Sequence, residues 1–285
     1  MAIRIVCDSS LNVPETFLEE YNILEVPALV IFGPDEVYRN KVDISIEAFY
    51  RRFLEEGHQP TTSQPTPAQF LEAYRQAESD TILCLTVTAE LSGTYNSAVQ
   101  AAAMAAEEGL QVTVWDTRFA SMGGGWQVVM AARWAREGKA LPEILDGLAR
   151  IRDHTFGFLT VETLTYLARA GRISHARAYV GNVLNVKPLL AFREGKLDVI
   201  GRERGRRRSK EALLRWVGQH VNARPVRLAV AHTHIPDEAT AFMEACRQRF
   251  HVVEDVIVEL GPVLAAIGGP GLLGITGYPV DVEPG

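Results

Sequence analysis

The sequence predicts an α/β protein of two domains, the first built on a parallel sheet. Three observations carry this expectation. Short apolar or β-branched runs alternate with amphipathic stretches along the chain, the pattern of strands joined by crossover helices. The chain has 285 residues, of which 47% are hydrophobic, and single cores stop growing at roughly 250–300 residues. Charge also divides along the chain: residues 1–152 carry 12 basic and 21 acidic side chains, and residues 153–285 carry 17 and 14. The expected division is an N-terminal domain of residues 1–152 and a C-terminal domain of residues 153–285.

The elements follow in order. Residues 3–7 form an apolar run ending at Asp8-Ser9-Ser10, as where a buried parallel strand hands over to a loop. Residues 23–32 read as a second strand. Ser45 opens an amphipathic helix carrying Ile46, Phe49, Phe53 and Leu54, which stops at Gly57. The prolines and hydroxyls of residues 60–67 cannot continue it, while Thr66-Pro67 is an N-cap with proline at the first helical position, before Phe70, Leu71 and Tyr74. Residues 81–86 are β-branched and apolar, a third strand, and lead through Ser92-Gly93-Thr94 into an alanine-rich helix to about residue 108. A fourth strand spans 112–116. Met122-Gly123-Gly124-Gly125 then precedes a helix ending at Gly138, and another helix spans 142–151.

In the second half, residues 156–161 read as a strand and 162–169 as a short helix ended by Gly171. Residues 189–193 and 197–201 make a hairpin across Glu194-Gly195. A helix at 207–221, a strand at 226–231, a helix at 239–250 and a strand at 252–258 follow. The tail from Gly261 is expected as a glycine-rich turn without a helix, ending in a short strand.

Several function classes are disfavoured. The net charge of −6 argues against a nucleic-acid partner, although the basic second half permits an anionic one. No apolar run is long enough for a membrane helix and the N-terminus lacks a signal pattern, so a cytoplasmic protein without integral membrane association is expected. Cys7, Cys84 and Cys246 are scattered, which suggests buried thiols and neither a disulfide framework nor a metal site. His232 and His234 flank Thr233 without a third ligand, and no hydrolase motif is present.

What remains is a binding pattern. Thr61, Thr62 and Ser63, and separately Ser92-Gly93-Thr94, fall where helices begin, so they serve either as caps or as donors to a carboxylate or phosphate. Arg202, Arg204, Arg206, Arg207, Arg208 and Lys210 place six basic residues in nine positions, either a solvated face or a partner contact. On these residues alone a lipid-binding carrier and an enzyme acting on a phosphorylated small molecule, with His232 or His234 as acid or base, both stand.

In combination the motifs resemble the DegV family of bacterial fatty-acid-binding proteins. The resemblance rests on Asp8-Ser9-Ser10, Thr62-Ser63-Gln64-Pro65, Leu91-Ser92-Gly93-Thr94-Tyr95, Gly171-Arg172-Ile173-Ser174, Lys187-Pro188-Leu189-Leu190 and Gly261-Pro262 to Gly269-Pro270-Gly271, in family order across the chain. It implies two α/β domains with a long-chain fatty acid such as palmitate between them as ligand, and no cofactor. By position, the carboxylate falls to Thr62 and Ser92, with Ser63 and Gly93 secondary, and Ile267 and Gly268 belong to the loop over the acyl pocket. It further implies a monomeric carrier without catalytic residues or metal, presenting the acid to a fatty-acid kinase, with Arg172, Arg204 and Arg207 as partner or head-group contacts. Ile267 stands where many members have a histidine, which bears on kinase coupling more than on lipid binding.

Overall fold

The computed structural model describes residues 3–173 and 185–284. Strands β1 (Ile3–Asp8), β2 (Leu24–Val26), β6 (Thr81–Thr86) and β7 (Gln111–Asp116) form a parallel sheet in the order β2-β1-β6-β7. Strands β3 (Leu29–Gly33), β4 (Glu36–Arg39) and β5 (Thr61–Ser63) form a small antiparallel sheet, β4-β3-β5. The single strand expected at 23–32 is thus two, belonging to different sheets. Pro27 lies between them and cannot donate to a ladder, so the chain leaves one sheet there and enters the other.

The remaining strands are β8 (Phe156–Thr160), β9 (Val186–Arg193), β10 (Lys196–Arg204), β11 (Val226–His232), β12 (Val252–Glu259) and β13 (Leu273–Pro279). They make a mixed sheet, β10-β9-β8-β13-β11-β12, in which only β11 and β12 are parallel. The β9–β10 hairpin turns on Glu194 at φ 48° and Gly195 at φ 83°, the pair of positive angles that matches strand twist. Every strand before residue 152 lies in the first two sheets, and every described strand after it in the third.

Alternation sorts each strand's side chains. Val6, Ile82 and Cys84 face helices α3 (Pro67–Arg75) and α4 (Thr94–Glu107), while Ile5, Cys7, Leu83 and Leu85 face the opposite way. Between those latter residues and the third sheet runs α5 (Met122–Arg136), buried without interruption from Met122 to Ala132. A helix apolar on all sides has to be enclosed, and α5 is enclosed by both sheets and by α6 (Leu141–His154). The outer face of the third sheet packs on α8 (Arg206–Val221) and α9 (Pro236–Arg249).

The caps fall where residue chemistry demands them. Ser45 accepts from the Ala48 amide ahead of α2 (Ile46–Tyr50), and Thr66 and Gln69 form a reciprocal capping box at α3. The helix opened by Ser45 widens into a π-helical turn, Arg51–Glu55. The glycine-rich tail departs from expectation: Pro262–Gly268 is a helix, α10, with proline at its first turn. The flanking glycines obscured a run, Val263 to Ile267, that is helical in its own right.

An ionic network ties the halves together. Arg133 of α5 donates to both Glu254 carboxylate oxygens at 2.8 and 2.6 Å, and Arg227 also pairs with Glu254 and reaches Glu283 at 2.8 Å. All four side chains are mostly buried, so removing one leaves charge unpaired in a poor solvent. Glu254→Ala is expected to cost about 2 kcal/mol and to lower the melting temperature by roughly 4–8 °C. An unchanged melting curve in calorimetry contradicts this role.

Candidate functional site

The third sheet turns an unusually bare face toward the first. Residues that point inward include Gly157 on β8, Ala231 on β11, and Gly274 and Thr276 on β13; Gly157 pairs with Thr276, and Gly274 with Ala231. Where other strands carry Leu or Val, this stripe has little or no side chain, and a cavity of about 140 Å³ lies over it. Its other walls are the residues that follow the carboxyl ends of β1, β6 and β7, the small sheet's Ala28 and Thr62–Gln64, and α10 through Val263, Leu264, Ile267 and Gly268. Crevices at the carboxyl ends of parallel strands are where α/β proteins bind ligands.

The lining is apolar over most of its extent, with Leu91, Phe119, Leu159, Phe192, Leu197 and Leu272 among it. Hydroxyls and one amide gather at the small sheet and the α4 entry turn. Thr62, Ser63 and Gln64 come from β5 and its exit, and Ser92 and Thr94 from the turn into α4. The Ser92 hydroxyl accepts from the Thr94 amide at 3.3 Å and lies 2.8 Å from the Thr94 hydroxyl. When Thr94 donates, the Ser92 proton is left for a ligand and is polarised by the bond it accepts. Gln64 donates to the Ser97 hydroxyl at 3.1 Å and lies against Gly93, where a Cβ would fall 2.2 Å from Gln64 Oε1.

Arg172 is the one charged residue lining the cavity among the described residues. Its guanidinium donates to the carbonyls of Leu91 at 3.1 Å and Ala170 at 2.5 Å. No carboxylate pairs with it among the described residues. Among the described residues the cavity therefore offers hydroxyl donors and one cation without a carboxylate partner to an amphipathic anion, and no Asp, Glu, His or Cys lines it.

Polar bonds fix the small sheet and α10 beside the cavity. The Ser9 hydroxyl accepts from the Ala28 amide and from Asn40 Nδ2, both at 3.0 Å, and Asn40 Oδ1 accepts from the Val263 amide at 3.3 Å, inside α10. Tyr50 donates to the Leu260 carbonyl at 3.2 Å. Asp8, fully buried, takes the Ser10 amide at 2.9 Å and the Val87 amide at 2.6 Å, which joins the ends of β1 and β6; burial raises its pKa. Gly269 holds φ +77° against the Tyr166 ring, where no Cβ fits.

Of the residues singled out from sequence, Thr62, Ser63, Ser92, Arg172, Ile267 and Gly268 meet at this cavity. Gly93 does not line it; it supports Gln64 instead. Thr61–Ser63 is a strand, so Thr62 and Ser63 act from a sheet edge and not from a helix start, because long-range pairing with β3 claims those residues. Arg204 and Arg207 are exposed and lie outside the cavity lining, since the basic run divides between β10 and α8. Neither His232 nor His234 lines it. Burial of the free thiols of Cys7, Cys84 and Cys246 raises their pKa, in Cys84 and Cys246 to about 12. Ser174 lies outside the described residues. Ser10, Thr94, Ser121 and Thr276 also line the cavity and were not singled out as contacts; Ser10 and Thr94 stood inside recognised motifs, but nothing local marked Ser121 or Thr276.

The family model described as DegV, an uncharacterised-protein family, matches residues 2–280. The chain belongs to the DegV family. A DegV domain-containing protein of Deinococcus radiodurans is 35% identical over 287 residues, covering 99% of this chain and 100% of the relative. Among solved structures, a DegV family protein from Thermus thermophilus described as binding fatty acid is 34% identical with a TM-score of 0.89, covering 98% of this chain and 100% of that one. A DegV lipid-binding protein of Thermotoga maritima is 28% identical with a TM-score of 0.90 over the full length of both chains.

In this DegV member the Gly93–Gln64 contact is testable. Gly93→Val is expected to displace the Gln64 amide, break its bond to Ser97 and cost about 1–3 kcal/mol in denaturant unfolding. A variant as stable as the parent shows that Gln64 yields freely and supports nothing.

Proposed function

We propose that this protein binds a long-chain fatty acid in the cavity between its two domains, 1–152 and 153–285. The carboxylate is held by the hydroxyls of Thr62 and Ser92, with Ser63 beside them and Arg172 supplying positive charge. One observation carries the reading: a largely apolar cavity whose lining includes the Thr62, Ser63, Gln64, Ser92 and Thr94 side chains and, as the one cation among the described residues, Arg172. Relatives of high fold similarity that are described as fatty-acid-binding support it.

The energetics divide the roles. Burial contributes about 0.8 kcal/mol per methylene, so about 14 methylenes supply on the order of 11 kcal/mol before ordering costs. Hydrogen bonds to a charged group add about 1.5–3 kcal/mol each. The tail sets affinity, and the hydroxyls select an acid and fix its direction. Ile267 extends the apolar lining.

The protein is proposed to act as a monomeric cytoplasmic carrier, without cofactor or catalytic residues, that offers the bound carboxylate to a fatty-acid kinase. The supporting surface is basic: Arg202, Arg204, Arg207 and Arg208 are exposed and without ion pairs among the described residues, whereas Arg206 and Lys210 pair with Glu238. No described helix is long and apolar enough to cross a membrane.

Thr62→Ala combined with Ser92→Ala is expected to weaken palmitate binding about 100-fold or more in a calorimetric titration, equivalent to at least about 3 kcal/mol, with circular dichroism unchanged. Unchanged palmitate affinity removes the pair from the site.

A further inference from the structure

The turn that delivers Ser92 to the cavity is clamped from the other half of the chain. Residues 88–91 form a turn closed by the Leu91 amide on the Thr88 carbonyl at 3.3 Å, and the Thr88 hydroxyl accepts from the Glu90 amide at 3.3 Å. A threonine at the first position of a turn caps it in this way. The hydroxyl proton points out of the turn and is donated to the Gly195 carbonyl at 2.9 Å, at the tip of the β9–β10 hairpin. Both residues are buried. Gly195 holds φ +83°, and a Cβ there would fall 2.6 Å from Thr88 Oγ1, so this close approach requires glycine.

The other anchors of the turn come from its own half or from the surface. The Thr88 amide donates to the Phe119 carbonyl at 3.0 Å, and the Ala89 amide to Asp116 at 3.3 Å, both at the exit of β7. The Glu90–Lys196 pair, at 3.5 Å, is half-exposed and contributes little. On the cavity side the turn supplies Leu91 and leads directly into Ser92, and its Leu91 carbonyl accepts from Arg172 Nε at 3.1 Å. A displaced turn therefore shifts the hydroxyl and the cation together.

Resting on the fatty-acid reading above, we propose that Thr88 is a positioning residue for the carboxylate. Its bond to Gly195 fixes the 88–91 turn against the mixed sheet, and with it the places of Ser92 and Arg172. Thr88 does not line the cavity, so its effect reaches the head group only through those two side chains. Donors fixed before the ligand arrives bind without an ordering cost, and a carboxylate needs them in direction as well as distance. An acyl chain is held by buried area and makes no such demand.

Thr88→Val removes the hydroxyl at nearly constant volume, and Thr88→Ser keeps it. Palmitate and hexadecanol, which share a chain length and differ in the acid group, are each titrated in competition with a fluorescent fatty acid. Thr88→Val is expected to weaken palmitate about tenfold and to change hexadecanol by less than about twofold, with Thr88→Ser restoring palmitate to within about twofold of wild type. Should Thr88→Val lose a cooperative melt, Gly195→Ala, which crowds the same hydroxyl, carries the test with the same selective loss. Equal losses for the two ligands overturn the inference, because they mark a merely structural role, as does wild-type palmitate affinity in Thr88→Val. A wild-type protein that binds neither ligand overturns the fatty-acid reading itself, and this inference falls with it.

Discussion

An empty space inside a folded protein has to be held open. The cavity of about 140 Å³ keeps its shape because one wall carries small residues and the others are fixed in place. These two requirements explain how the molecule is built. Gly157, Ala231 and Gly274 strip one face of the third sheet, and the surrounding elements are fixed firmly enough that the gap does not collapse. The largely buried α5 keeps the two large sheets apart, and Arg133, Arg227, Glu254 and Glu283 lock the periphery of that arrangement. A ligand bound there stabilises the folded state through its affinity for it.

Most of the polar lining comes from the small sheet and the turn into α4. These elements bring hydroxyls and one amide to the wall; Thr94 orients the Ser92 hydroxyl, and Ser97 and Gly93 fix the Gln64 amide. Arg172 places its charge beside them with only carbonyls for partners among the described residues. Asp8 and Asn40 never touch the cavity, yet they join β1, β6, the small sheet and α10 around it. This separation explains why Asp8-Ser9-Ser10 reads as a functional strand end although Asp8 itself works as a brace.

Much of this was legible in the sequence because it rests on local chemistry. Thr66-Pro67 and Ser45 mark their helices through capping, and the β1 and β6 strands announce themselves by short apolar runs. The Thr62 and Ser92 clusters stood out as hydroxyls where no hydrophobic period continued. What was hidden depends on distant partners. Thr61–Ser63 becomes a strand only because β3 pairs with it, and Pro27 separates two strands whose sheets are formed by residues far along the chain. The floor was invisible because glycine in a strand looks like a weak strand. Only pairing across β8, β13 and β11 shows Gly157, Gly274 and Ala231 to be one stripe. Helix α10 was masked by glycines that serve its ends and its contact with Tyr166.

The central claim is that the cavity exists to hold one acyl chain by its carboxylate. Native mass spectrometry of the purified protein, followed by denaturing extraction and lipid analysis, tests it most directly. One fatty acid per chain, narrow in length, is expected to survive purification and to raise the melting temperature relative to delipidated protein. Protein that carries no lipid and shows no thermal shift on addition of palmitate or oleate contradicts it.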